Sequence, residues 1–170
     1  MPTYIALLRA VNVGGTGKLP MAELREMCVA LGFTEVRTYI ASGNVVLRSK
    51  QSAAQVKRAL ERRLAEYAGK PVGVVVRDGA DLARVLAANP FPEGAGNRVL
   101  AIFLDEAPPA DALDAVRHRR DERIALGERE IYVHYGDGMA ESKLVIPAAR
   151  AGTARNLNTV AKLIEMAGAD

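Results

Sequence analysis

Val36-Arg37-Thr38-Tyr39-Ile40-Ala41, then Ser42-Gly43-Asn44, then Val45-Val46-Leu47-Arg48: two runs rich in β-branched residues flank a short turn signal. Runs of this length are too short for ordinary helices and pair as a hairpin. What lies on each side of the hairpin decides the fold. Upstream, Thr3 to Arg9 contains Tyr4-Ile5-Ala6-Leu7-Leu8, which reads as a buried strand. Met21, Leu24, Cys28 and Leu31 then recur at helical steps after Pro20, a residue tolerated at a first helical position. Gly32 supplies the left-handed stop. Downstream, Ser52 and Gln55 have capping-box spacing, and Val56, Ala59, Leu60, Leu64 and Tyr67 form an apolar stripe that Gly69 ends. Val72 to Arg77 is a further strand. Residues 1–77 therefore read β-α-β-β-α-β, the split βαβ or ferredoxin-like order.

The rest of the chain follows a related plan. Asp78 caps a short helix through Leu86, which Asn89-Pro90 stops. The Pro- and Gly-bearing stretch from Asn89 to Gly96 marks a lobe boundary. The expected organisation is a lobe over 1–77, a helix and linker over 78–97, and a second lobe over 98–170. In that second lobe Arg98 to Leu104 is a strand and Pro109 to Val116 a helix. Glu122 to Leu126 and Arg129 to Tyr135 pair around Gly127-Glu128. A short helix around Ser142 to Ile146 and a last helix from about Arg155 to Met166 complete a β-α-β-β-α variant. The expected fold class is α+β: two ferredoxin-like lobes with a C-terminal helix. The order repeats without repeated residues.

Composition narrows the function classes. Of 170 residues, 49% are apolar, enough for a core and too many for a disordered chain. The single cysteine, Cys28, excludes an internal disulfide framework and fits a reducing compartment. With only two histidines beside it, no transition-metal site of ordinary ligand spacing is expected. No apolar run approaches the roughly 20 residues needed to span a membrane. Met1-Pro2-Thr3-Tyr4 lacks the charged and apolar regions of a signal peptide, so a cytoplasmic location is expected. The formal charge is +3, unevenly spread: residues 1–89 hold 13 basic and 7 acidic side chains, residues 90–170 hold 10 and 13. Opposite net charges favour docking of the lobes, or one cationic face aimed at an anion; ordinary solvated surface explains the same counts.

Candidate chemistry concentrates in a few polar stretches. The glycine-rich loop Asn12-Val13-Gly14-Gly15-Thr16-Gly17-Lys18 offers backbone amides to an anion. It is not a P-loop, because Asn12 replaces the first glycine and Leu19 follows the lysine. Nor is it a dinucleotide fingerprint, because Pro20 stands in the third glycine position. A tight strand-to-helix connection accounts for it without any ligand. In the last helix, Leu157, Val160, Ala161 and Ile164 gather on one side and Arg155, Asn158, Thr159 and Lys162 on the other. Arg155 in a first turn would oppose the helix dipole, a conflict that a bound anion or a carboxylate from the other lobe would relieve; a solvent-facing arginine is the plain alternative. Asn156, at the edge of the apolar face, is expected to satisfy backbone. Adjacent Ser142 and Lys143 diverge by about 100° on a helix and do not make a nucleophile pair. His118 sits in Arg117-His118-Arg119-Arg120 before Asp121-Glu122, which reads as a salt-bridged surface turn, and His134 is solvent-facing or lines an inter-lobe cleft. An RNA-recognition module would need aromatics in its central strands, where this chain has Asn44 to Arg48.

Five blocks carry a resemblance. Leu8-Arg9-Ala10-Val11-Asn12-Val13-Gly14-Gly15, Pro20-Met21-Ala22-Glu23-Leu24-Arg25, Thr38-Tyr39-Ile40-Ala41-Ser42-Gly43-Asn44-Val45, Ser142-Lys143-Leu144 and Thr153-Ala154-Arg155-Asn156-Leu157-Asn158-Thr159-Val160 occur in the order found in a bacterial family catalogued as a domain of unknown function, which the chain resembles over nearly its whole length. Ala10 departs from the family's usual glycine, and the stretch between Lys143 and Thr153 is shorter than in relatives. The resemblance implies two ferredoxin-like lobes and brings no activity, cofactor or catalytic residue with it.

The functional expectation is a binding protein, or an enzyme of unnamed reaction, with an anion-accepting cleft between its lobes. Arg9, Asn12 and the Gly14 and Gly15 amides form one wall with Ser42 and Asn44 nearby; Arg155, Asn158 and Thr159 form the other. A guanidinium grips phosphate or carboxylate in fork geometry. Two other readings stand beside it: an RNA- or nucleoprotein-associated module that tracks phosphate backbone, and a structural or interaction protein that holds no ligand. No metal or membrane partner is expected, and the sequence leaves cofactor, ligand identity and oligomeric state open.

Overall fold

Strand β1 (Thr3–Leu8) pairs antiparallel with β3 (Asn44–Arg48) on one side and β4 (Val74–Asp78) on the other, and β3 pairs with β2 (Thr34–Tyr39). The first sheet thus runs β2-β3-β1-β4, with α1 (Met21–Ala30) and α2 (Ala53–Ala68) as its connections. Because β2 and β1 both run against β3, they are parallel with a strand between them: the split βαβ order expected for the first lobe. These elements belong to a computed structural model of the chain that describes residues 1–10 and 18–168. The chain divides into two compact units, Met1–Leu82 with Leu163–Asp170, and Ala83–Lys162.

The core of the first unit follows from strand and helix periodicity. Tyr4, Ala6 and Leu8 of β1, Val45 and Leu47 of β3, and Val74 and Val76 of β4 pack with Leu24, Met27 and Cys28 of α1 and Val56, Leu60 and Leu64 of α2. The alternate residues Ile5, Leu7, Val46 and Val75 are buried as well. Strands buried on both faces read as continuous apolar runs, which is why Tyr4 to Leu8 shows no alternation. The expected capping box of α2 is present: Gln55 N donates to Ser52 Oγ at 3.2 Å and Ser52 N to Gln55 Oε1 at 2.9 Å. The hairpin turn occupies residues 40–43 instead of Ser42 to Asn44, because Asn44 already pairs with Leu7 and Tyr39 in the ladder.

The second sheet repeats the order of the first. It contains β5 (Val99–Phe103), β6 (Arg123–Leu126), β7 (Glu130–His134) and β8 (Thr153–Asn156), arranged β6-β7-β5-β8 and antiparallel throughout. Its cover differs from expectation. The helix expected from Pro109 to Val116 is a single 3-10 turn, Ala112–Ala115, since only Leu113 and Val116 offer large apolar side chains and no stripe forms. The short helix expected around Ser142 to Ile146 is instead an extended link between 3-10 turns Gly136–Glu141 and Pro147–Ala149, with Val145 bridged to Arg117. Val116, Leu144, Ala148 and Ala149 pack on Ile102, Leu104, Ile131, Val133 and Ile146.

Two further helices complete the chain. α3 (Gly79–Ala87) begins with the expected Asp78 cap, whose Oδ1 accepts from Asp81 N at 2.7 Å. α4 (Leu157–Gly168) starts later than expected: Thr153 to Asn156 form β8, and Arg155 pairs with Ala101 in the ladder. Arg155 therefore does not sit in a helical first turn. Its buried face is Leu157, Val160 and Leu163, while Ala161 is exposed and Thr159 is buried, a rotation of the stripe read from the sequence. Among the described residues no helix is long and apolar enough to cross a membrane.

Candidate functional site

The end of β1 is fixed by two backbone bonds, Leu8 N to Gly43 O at 2.9 Å and Arg9 N to Gly73 O at 2.8 Å. The second brings Arg9 beside the residues that lead into β4. α2 is tied to the same place, since Lys57 Nζ donates to Glu61 Oε2 at 2.7 Å and to Val74 O at 2.9 Å, while Val74 N donates to Glu61 Oε2 at 3.1 Å. Gly69 ends α2 with φ of 71° and turns the chain towards Lys70. Together these ties shape a hollow of about 450 Å³ within the first unit. Arg9 and Ala10 line it from the end of β1, Lys18 and Leu19 from the approach to α1, Leu64, Tyr67 and Ala68 from α2, and residues 70–73 from the approach to β4.

Its electrostatics are one-sided. Arg9, Lys18 and Lys70 are exposed cations on its border, and no carboxylate is among the described lining residues. Leu19 and Leu64 are buried and carry the hollow's floor into the core. Tyr67 donates its hydroxyl to Glu23 on α1, and that bond, with the nearby charge, holds the phenol proton more firmly than usual. Three cations on one border draw an anion towards it.

Of the residues singled out in the sequence, Arg9 lies at this hollow. Asn12, Gly14 and Gly15 lie outside the described residues. Ser42 and Asn44 are in the hairpin, where Asn44 is fully buried and its Nδ2 donates to Tyr39 O at 2.8 Å and to Ser42 Oγ at 3.0 Å. That pair of bonds closes the turn. In the sequence Lys70 is a lysine after a helix stop and Tyr67 a tyrosine on an apolar stripe; only the fold sets them at the hollow with Arg9.

Arg155, Asn158 and Thr159 meet at the β8–α4 junction of the second unit. Arg155 is buried, its Nη1 donating to Thr153 Oγ1 and to Ala154 O, both at 2.8 Å. Burial pushes its guanidinium down to about 10, still cationic at neutral pH. Asn156 caps α4, its Oδ1 accepting from Thr159 N at 2.9 Å. Asn158 is exposed, and a Cβ added at Gly96 would lie 2.1 Å from its Oδ1. Ser142 donates to Glu122, which also accepts from Arg120 N at 2.6 Å, so a buried carboxylate organises the turn that follows His118. His134 stacks on Phe91 with ring centroids 5.9 Å apart, and its Nδ1 lies 2.9 Å from Arg123 Nη2. Burial pushes the Cys28 thiol up to about 12, which leaves it an apolar core group. Among the described residues no three His, Cys, Asp or Glu side chains cluster to hold a metal.

Comparison with known proteins places the chain beside others of the same kind. A family model described as a protein of unknown function (DUF1697) matches residues 1–132. No curated protein matches the chain. A solved structure, described as that of the conserved bacterial protein SP0830 from Streptococcus pneumoniae, is similar with a TM-score of 0.80 and 26% identity, over 99% of this chain and 99% of that one. The blocks Ser142 to Leu144 and Thr153 to Val160 lie beyond the span that the family model matches.

Proposed function

The chain belongs to the DUF1697 family of proteins of unknown function, and from that premise we propose that its first unit binds a small phosphate- or carboxylate-bearing anion at Arg9, Lys18 and Lys70. The observation that carries this reading is the hollow of about 450 Å³ bordered by those three cations with no carboxylate among its described lining residues. Arg9 supplies a fork suited to two oxygens of one anion, and the lysines supply compact point charges. Asn12, Gly14 and Gly15 join Ala10 to Lys18 along the sequence, and the proposal keeps them as amide donors to the same ligand. It gives Ser42 and Asn44 the work of closing the hairpin, and Arg155 and Thr159 that of the β8–α4 junction, in keeping with their hydrogen bonds, with Asn158 beside Gly96.

A thermal-shift series with inorganic phosphate, small carboxylates and a short RNA tests the reading. An anion at 100 times its dissociation constant adds about 2.7 kcal/mol, a rise of about 5–10 °C at this chain length. The rise is expected to vanish in a folded Lys18→Ala/Lys70→Ala protein and to survive Asn158→Ala. An unchanged rise in the double variant sinks the proposal. The basic surplus of residues 1–89 favours a second reading, RNA phosphate tracking, which predicts that affinity falls steeply with salt through counterion release.

A further inference from the structure

We infer that the anion bound at this hollow carries an apolar, ring-sized body seated against Tyr67, so that the ligand is an aryl or heteroaryl phosphate or carboxylate and not an inorganic ion. The inference rests on the anion-binding reading above and adds the chemistry of the rest of the ligand. Size is the first argument. About 450 Å³ lies in the range of pockets that enclose organic ligands, whereas one phosphate would touch the cations and leave most of the space to water.

Lining is the second argument. The cations stand on the border, while Leu19 and Leu64 extend the first unit's core to the hollow's floor, and Ala68, Pro71 and Val72 add apolar surface. A ligand that filled this space with polar groups would leave them unpaired against these side chains. Tyr67 supplies the third. It borders this hollow and also a neighbouring one of about 350 Å³, lined by Glu23, Glu26 and Arg63 among others. Its hydroxyl is bonded to Glu23 on that neighbouring side. Tyr67 is thereby shared between the two hollows, with its hydroxyl held by Glu23. The three cations draw an anion to the larger hollow, and the aromatic surface is what Tyr67 can offer it there.

Calorimetric titration of the full chain with 1-naphthyl phosphate, inorganic phosphate and 1-naphthol, at one ionic strength, tests this. Naphthyl phosphate is expected to bind at least tenfold more tightly than phosphate, and naphthol at least tenfold more weakly than naphthyl phosphate. Tyr67→Ala is expected to cut the margin over phosphate below threefold while phosphate itself binds as before. Tyr67→Phe, which keeps the ring, is expected to retain the margin. Lys70→Ala is expected to weaken both phosphates and leave their ratio. Equal affinities for phosphate and naphthyl phosphate overturn the inference and leave the anion reading standing. Loss of the margin in Tyr67→Phe also overturns it, since the hydroxyl and not the ring would then be the recognising group. Failure of both phosphates, or naphthol binding as tightly as naphthyl phosphate, removes the anion reading and this one together.

Discussion

Two sheets in this chain share one strand order, yet they are covered in different ways. In the first unit α1 and α2 lay apolar stripes across the sheet, and Leu24, Met27, Val56, Leu60 and Leu64 fill the core, with Lys57 and Glu61 tying α2 to β4. In the second unit 3-10 turns and extended links take the place of those helices, and polar ties do part of the holding: Ser142 to Glu122, Arg119 Nε to Glu122 O at 2.7 Å, and Arg98 to Gly136 O. The face of the second sheet that carries Ile102, Leu104, Ile131 and Val133 is thus covered without a helix. The cover decides what kind of interaction holds the sheet and whether a hollow opens at a helix end. The glycines register the same contrast. A Cβ at Gly69 would meet nothing within 4 Å, so that glycine is needed for its φ, whereas a Cβ at Gly152 would sit 2.8 Å from Phe103 O, Ile102 Cγ2 and Leu104 Cδ2.

The comparison can be broken most directly through the cores. Leu60→Ala, at a fully buried position on α2, is expected to cost about 3 kcal/mol. Val116→Ala, half-buried on the cover of the second sheet, is expected to cost less than half of that. Urea denaturation followed by circular dichroism measures both, and equal losses would mean that the two covers are energetically alike.

A pH titration sharpens the polar side of the contrast. The Ser142 hydroxyl, with the Arg120 amide, holds the Glu122 carboxyl below the ordinary glutamate range. A carboxyl depressed on folding contributes stability that is complete above its unfolded value of about 4.3 and lost as pH falls through its lower folded value. Glu122→Gln is expected to cost about 1–2 kcal/mol at neutral pH and to flatten that acid limb. An unaltered limb would show that another carboxylate governs it.

The smallest effect concerns Ala10. Its φ is 54°, in the left-handed region that favours glycine. Ala10→Gly removes the Cβ penalty but adds freedom to the unfolded chain, so a gain of at most about 1 kcal/mol is expected in the first unit. A loss on substitution would refute the strain assigned to this turn.

What could be read from the sequence follows the same division. Tyr4 to Leu8, the capping box at Ser52 and the stop at Gly69 declare themselves because local propensity and burial agree there. β8 does not. Thr153-Ala154-Arg155-Asn156 lacks an apolar alternation, and it is a strand because Leu100 to Phe103 pair with it. Arg155 looked like a helical cation for that reason, when it is a ladder residue with its charge buried. At the candidate site Arg9 was legible from a strand end, where functional groups concentrate on a rigid scaffold. Lys70 and Tyr67 were not, since their nearness to Arg9 is a product of the Arg9–Gly73 bond and the α2–β4 ties.

Cys28 gives this asymmetry a practical use. It is the chain's single thiol and is sealed at 0% exposure in the helix-covered core. An alkylating reagent can reach it only when that core parts, so its modification rate is a clock for opening events in one half of the molecule. The other half, lacking sulfhydryls altogether, would stay silent on the same trace.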